Sequence, residues 1–239
     1  MKSVAIILVL LYSFMSKPAR QNDTLNGLCA EFNRLNTSIR DGQIEKQKAR
    51  ALFQQLIKKI KDADQLPPGK GAFYFPVQHY SALAIGGKNG SGYIPGKYDY
   101  FDGNMHSGHA AHDIFIGDKN QDCLDDRTGK KVNVLSVSTG IVLAVENSWN
   151  QGSALRGGKY IWILSADHHS LFYYAHNDTV LVAPGQRVDA GQAIARVGRT
   201  GLNAHKQRSP THLHFMQLEL NNNNLPVAVN PYKLLIKAK

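Results

Sequence analysis

Cysteine is scarce: only Cys29 and Cys123 occur in 239 residues. Neither belongs to a CxxC pair or a metal-spaced pair, so a thiolate metal cluster is excluded. A disulfide between them is allowed in an exported chain but not implied. Acidic residues are also few, 18 against 28 Lys and Arg, for a formal charge of +10. That excess suits an anionic partner such as nucleic acid, lipid head groups or an acidic cell-wall polymer. No Arg/Lys cluster interleaved with aromatics accompanies it, so no nucleic-acid partner is expected. No apolar run reaches the roughly 20 residues of a membrane span. There is no internal repeat, no low-complexity tract and no HExxH helix.

What is present begins at the N-terminus. Lys2 precedes an apolar run over residues 4–15, which fits the core of a secretory signal peptide. No small-x-small triplet follows cleanly. Residues 1–19 therefore read as a signal peptide or a retained N-terminal membrane anchor. Either way the chain is expected to be exported, to the periplasm or the extracellular space, and membrane-tethered if the anchor stays. Cys29 lies too far from the run to look like a lipid-attachment cysteine.

Residues 20–66 read as a helical segment. Asp23 or Thr24 could cap it, and turn formers in "NTSIRDG", residues 36–42, suggest a break. Ile44, Leu52, Phe53, Leu56, Ile57 and Ile60 recur at helical spacing. A hairpin of this size buries little core alone, so it needs another surface. "QLPPGKG", residues 65–71, reads as a boundary. From there the pattern changes to "AFYFPV", "HDIFI", "VNVLSVSTGIVLAVE", "YIWILSA", "SLFYYAH", "AIARVG" and "THLHFMQLEL". These are short, rich in β-branched or aromatic residues, and separated by Gly or Asn/Asp turns. The expected fold is mainly β: a compact antiparallel β-sheet domain over residues 67–239, preceded by an N-terminal helical hairpin. "NNNN", residues 221–224, reads as a loop between the last strand and a short C-terminal element.

Chemistry concentrates in the histidines. If "THLHF" is a strand, His212 and His214 share one face, and Leu213 and Phe215 face the core. An isolated HxH is more often two solvated histidines, so partners decide its meaning. "GHAAHDIFI" offers them. Extended backbone puts His109 and Asp113 on one face and turns His112 away; a helix would admit both. "DIFI" favours the strand. His109, Asp113 and one histidine of the HxH would give two nitrogens and one oxygen, a set suited to zinc with one open position. His176, in "FYYAHND", would be a structural histidine if it stood alone.

In chain order, H-x-x-x-D, Y-A-H and H-L-H-F resemble the lysostaphin-like (LytM-type) zinc metallopeptidases that cleave peptidoglycan peptides. "VLSVSTGIVLAVE", "VAPGQRVDAGQAIARVGRTG" and "SPTHLHF" are similar to the strand-and-turn framework of that family, so the resemblance runs over residues 73–231. It implies one catalytic Zn2+ held by His109, Asp113 and His214, with His176 and His212 as catalytic histidines that do not bind it. It implies an endopeptidase that hydrolyses stem peptides or cross-bridges of peptidoglycan through a metal-activated water. His212 is the first choice to take the proton from water, and the other histidine would hydrogen-bond the tetrahedral intermediate; the assignment of the two stays open. The substrate strand would lie in a groove across the sheet. None of the five positions is substituted, unlike the family's degenerate members, which lose metal and regulate other wall enzymes. The alternative is a non-catalytic envelope module that binds peptidoglycan or regulates another wall hydrolase.

Other features are weaker. Asp118, Asn120 and Asp122 resemble the start of a Ca2+ loop, but Cys123 stands where glycine is expected and Gly129 where glutamate is. An acidic surface turn is the favoured reading. Asn104 and His106 either line the groove or turn the chain. Tyr160 and Trp162 share a sheet face and read as core. His79, His168, His169 and His205 read as surface residues, with His168 and His169 in a hairpin turn. The helical segment is open between an inhibitory pro-segment, a docking element and a packed lobe. The bond cleaved and the oligomeric state are not legible.

Overall fold

A computed structural model describes residues 21–65 and 72–239. The signal or anchor expected at 1–19, and the boundary from 66 to 71, lie outside the described residues. Two helices, α1 (Gln21–Arg40) and α2 (Lys46–Ala63), form the hairpin. The strands β1 (His112–Phe115), β2 (Asn133–Leu135), β3 (Gly140–Glu146), β4 (Lys159–Ser165), β5 (Ser170–Val180), β6 (Arg187–Val188), β7 (Ala193–Val197), β8 (His212–Leu220) and β9 (Pro226–Val229) follow, then a short α3 (Tyr232–Leu235). All described ladders are antiparallel, in the order β1-β8-β5-β4-β3-β6, with β7 on β5, β2 on β7 and β9 on β8. The fold is the mainly β antiparallel sheet with N-terminal helices expected from the pattern. No described helix is long and apolar enough to cross a membrane.

The helix break falls later than expected. Residues 36–40 remain helical, and the turn occupies the few residues after Arg40. The turn formers there are otherwise engaged. Asn36 hydrogen-bonds the Tyr160 and Tyr100 hydroxyls, and the Thr37 hydroxyl donates to the Asn33 carbonyl. Side chains with such partners no longer compete for the backbone. At the other end, Asp23 and Thr24 lie within α1. Glu45 caps α2, accepting from the N–H groups of Gln47 and Lys48 at 2.8 Å.

The sheet is covered on both faces, because alternate residues of each strand need separate apolar partners. One face packs Ile141, Leu143, Trp162, Leu164, Met216 and Leu218 against Phe32, Phe53, Ile57 and Ile60 of the helices. The other packs Val142, Ile161, Ile163, Phe172, Leu213 and Phe215 against Val134, Ile194 and Val197. Each fully buried Ile, Leu or Phe contributes roughly 1.5–3 kcal/mol of transfer free energy. Polar contacts fix the hairpin's position: Arg40 pairs with Glu146, Arg50 with Asp99 at 2.6 Å, and Lys46 with Asp102 at 2.6 Å. Gly103 packs so closely on the end of α1 that a Cβ there would lie 2.2 Å from the Ile39 carbonyl.

Three local expectations change. "AFYFPV" supplies one bridge, Val77 to Val134, and otherwise single backbone bonds, such as Phe75 N–H to the Lys239 carbonyl. "NNNN" is the turn that joins β8 to β9, so a further paired strand follows it. His168 is no surface residue: its Nε2 lies 3.0 Å from the carboxylate of buried Asp64, which also pairs with Arg187. His169 is exposed in the same β4–β5 turn.

Candidate metal centre

β8 carries the centre of the site. His212 and His214 lie on its helix-covered face, in line with Met216 and Leu218, while Leu213 and Phe215 are fully buried on the other. β1 pairs with it so that Asp113 stands opposite His214. His109 is not in the strand: it forms a separate bridge with Ile94 just before β1. His112 turns away, as extended backbone requires, and is buried with its Nε2 2.9 Å from Asn230.

His109 Nε2 and His214 Nδ1 lie 3.2 and 3.0 Å from Asp113 Oδ1. One ligand atom from each of the three residues lies within 4.8 Å of the other two. Ligands at about 2.0–2.1 Å around a tetrahedral zinc are about 3.3 Å apart, so these edges have the right length. The chemistry of His109 also fits a cation. Its Nδ1 faces the Gly92 carbonyl at 2.9 Å and must donate. Its Nε2 then presents a lone pair to a carboxylate unless a proton or a metal ion intervenes. The hydrogen bond to Asp113 raises the His109 pKa against the opposing effect of burial. Burial would raise the Asp113 carboxyl, but its bonds to His109 and His214 outweigh that and hold it well below the usual range. Burial lowers His214.

His176 and His212 stand beside this cluster, their ring centroids 4.9 Å apart. His212 Nδ1 donates to the Pro210 carbonyl at 2.7 Å, and His176 Nδ1 to the Thr200 carbonyl at 2.8 Å. In both neutral rings Nε2 is therefore the acceptor. His212 Nε2 lies 3.6 Å from Asp113 Oδ1. Burial, then the neighbouring His212 and His214, pushes the His176 pKa well below its ordinary value. His176 has a left-handed backbone, φ 66°, at an irregularity in the β4–β5 ladder. Gly201 packs beside it, where a Cβ would lie 2.4 Å from the Arg156 carbonyl and 2.9 Å from His176 Nδ1.

All five residues line one cavity of about 290 Å³. Asn104 and His106 line it too, which settles their placement. Tyr160 and Trp162 do double duty, buried in the core and lining the cavity. The sequence reading missed Asn36, Ile39 and Arg40 of α1, and Tyr98, Tyr173 and Arg156, which complete the walls. Asn36 and Arg40 are four apart on a helix, a polar pair that marks one face; Arg156 carries no comparable sign. The acidic turn lies elsewhere. Asp118 is buried, not a surface residue, and its oxygens accept from the N–H groups of Asp122 and Cys123 and the Thr211 hydroxyl. An oxygen set occupied by N–H donors does not offer a Ca2+ loop. Cys29 and Cys123 are free thiols; burial pushes the first up to about 12 and the second up to about 11.

The antiparallel sheet thus places a His-Asp-His cluster that could hold a metal ion in a groove. In sequence, residues 120–229 match Peptidase family M23. The matched stretch contains His176, His212 and His214 and begins after Asp113. Over 64 residues the chain is 47% identical to the murein hydrolase activator NlpD of Escherichia coli (strain K12), which is 27% of this chain and 15% of that protein. Among solved structures, it resembles the catalytic domain of lysostaphin from Staphylococcus simulans at 24% identity and a TM-score of 0.39, covering 60% of this chain and 86% of that one. It also resembles a zinc-containing peptidase from Vibrio cholerae at 26% identity and a TM-score of 0.42, covering 71% of this chain and 40% of that one.

Proposed function

We propose that the protein is a zinc-dependent endopeptidase of the cell envelope that cuts peptide bonds in peptidoglycan stem peptides or cross-bridges. The observation that carries this reading is the convergence of His109 Nε2, Asp113 Oδ1 and His214 Nδ1 in a cavity that also holds His176 and His212. The three converging residues would hold the ion, and residues 67–239 would form the peptidase domain behind the 20–66 helices. When bound, zinc supplies Lewis acidity toward a peptide carbonyl and lowers the pKa of water. The chain's own residues handle the protons. His212 is the base: its Nδ1–H is held by Pro210, so its Nε2 lone pair receives a proton from water in the cavity. His176 is an acceptor in the same tautomer. It donates a hydrogen bond to a developing oxyanion only after it takes up a proton, and the Thr200 carbonyl holds its ring in place for either task.

The similarity to an NlpD activator favours a second reading, a non-catalytic module that stimulates another wall hydrolase. One experiment separates the two. Zinc content and the release of new peptide termini from purified peptidoglycan are measured for the wild type and His214→Ala. One zinc per chain with released termini, both lost in the variant, is the expected result, and the mass of the products names the bond. Folded, zinc-free protein that releases nothing, yet increases hydrolysis by an added wall enzyme, establishes the second reading.

A further inference from the structure

Two arginines line the cavity, and their surroundings differ. Arg40 is neutralised by Asp41 and Glu146. Arg156 has no carboxylate within 4.0 Å among the described residues, and its side chain bonds only the His106 carbonyl. The cavity's own carboxylate, Asp113, is engaged by histidines. We propose that Arg156 binds a carboxylate of the substrate, so that the preferred peptide carries a free carboxylate, on a side chain or at a terminus, close to the bond placed at the His109–Asp113–His214 cluster. This rests on the proposed peptide substrate and adds its charge.

The geometry favours recognition over a solvated surface charge. The backbone around Arg156 is fixed at several points. Its N–H donates to Asn104 Oδ1 at 2.9 Å, and Asn104 Nδ2 donates to the Ala154 carbonyl at 2.9 Å. Leu202 N–H bonds the Leu155 carbonyl, and His176 N–H bonds the Gly157 carbonyl at 3.0 Å. The same loop thus holds the arginine and the backbone of His176. Burial, and then the Arg156 charge, works against protonation of His106, whose carbonyl the arginine binds. A guanidinium stays charged at every relevant pH, and its planar fork matches a carboxylate. Half-buried in a cavity that Tyr98 and Tyr173 also line, it loses part of its hydration, and an arriving anion restores the balance. An uncharged substrate would leave that cation unpaired.

The test uses the zinc-loaded full chain and labelled alanine hexapeptides with amidated C-termini, so that the scanned glutamate is the one carboxylate. One glutamate is scanned through every position, in L and D configuration, beside the same series with glutamine. Binding is read by fluorescence anisotropy and cleavage by mass. For at least one position, the glutamate peptide is expected to bind about 10–100-fold more tightly than its glutamine twin. Arg156→Met should remove that difference by weakening binding of the glutamate peptide, and Arg156→Lys should keep part of it. Equal binding of the two series, no binding of either, or a preference that survives Arg156→Met overturns the proposal. A preference without cleavage leaves Arg156 in its role and counts against the peptidase reading. Cleavage without a preference does the reverse.

Discussion

Asp113 is the residue on which the cluster turns, because one oxygen, Oδ1, lies at hydrogen-bond distance from both His109 and His214. Asp113→Asn keeps the shape and removes the charge. Zinc affinity should fall by more than the ~10–100-fold typical of an outer-shell loss, read by competition with a chromogenic chelator. The fold should survive, since β1 keeps its backbone pairing with β8. Asp118 behaves in the opposite way. Asp118→Ala strands two backbone N–H groups and the Thr211 hydroxyl beside His212, and should cost about 2–4 kcal/mol in denaturant unfolding. At this scale strand alternation separated His112 from Asp113 as the structure has it, but His109 lies before β1 and reaches Asp113 from outside the strand that the sequence suggested. Asp118 was not legible: its residue type suits a solvated turn, and only the fold shows that Thr211, 93 positions later, closes over it.

The helical hairpin is an element held by charge as well as by apolar contact. Asp99 and Glu146 are each subject to burial, which raises a carboxyl, but their partners outweigh it: Lys46 and Arg50 at Asp99, Ser148 and Arg40 at Glu146. Both folded pKa values therefore lie below the unfolded ones. The stability they contribute is complete above the unfolded values of about 4 and is lost as pH falls through the folded values. The melting temperature should thus drop between pH 5 and pH 3, and Glu146→Gln should flatten that drop while lowering stability at pH 7. Phe53→Ala, at the centre of the helix–sheet contact, should cost about 3–5 kcal/mol at neutral pH. The spacing of Phe53, Leu56, Ile57 and Ile60 announced this buried face. The exact turn was not announced, because Asn36 and Thr37 are turn formers whose side chains are bound elsewhere.

For the whole molecule, the sheet, its antiparallel pairing and the helices ahead of it followed from periodicity and turn spacing. The relation between the two parts did not. A pattern of apolar residues says that the hairpin needs a surface, and not that the surface is the one beside the His109–Asp113–His214 cluster. The structure joins them twice: through one hydrophobic cluster and through Asn36, Ile39 and Arg40, which line the cavity. Removing residues 1–65 should uncover Ile141, Leu143, Trp162 and Leu164 together, giving a product that binds ANS and precipitates.

The same join has a consequence for maturation. A protease that cut the chain between residues 65 and 72 would not free the helices. The two pieces would stay together as a nicked complex, eluting as one species until denaturant parts them. Ripening by a single cut would change covalent continuity and leave the groove with the same three side chains of α1 in its wall.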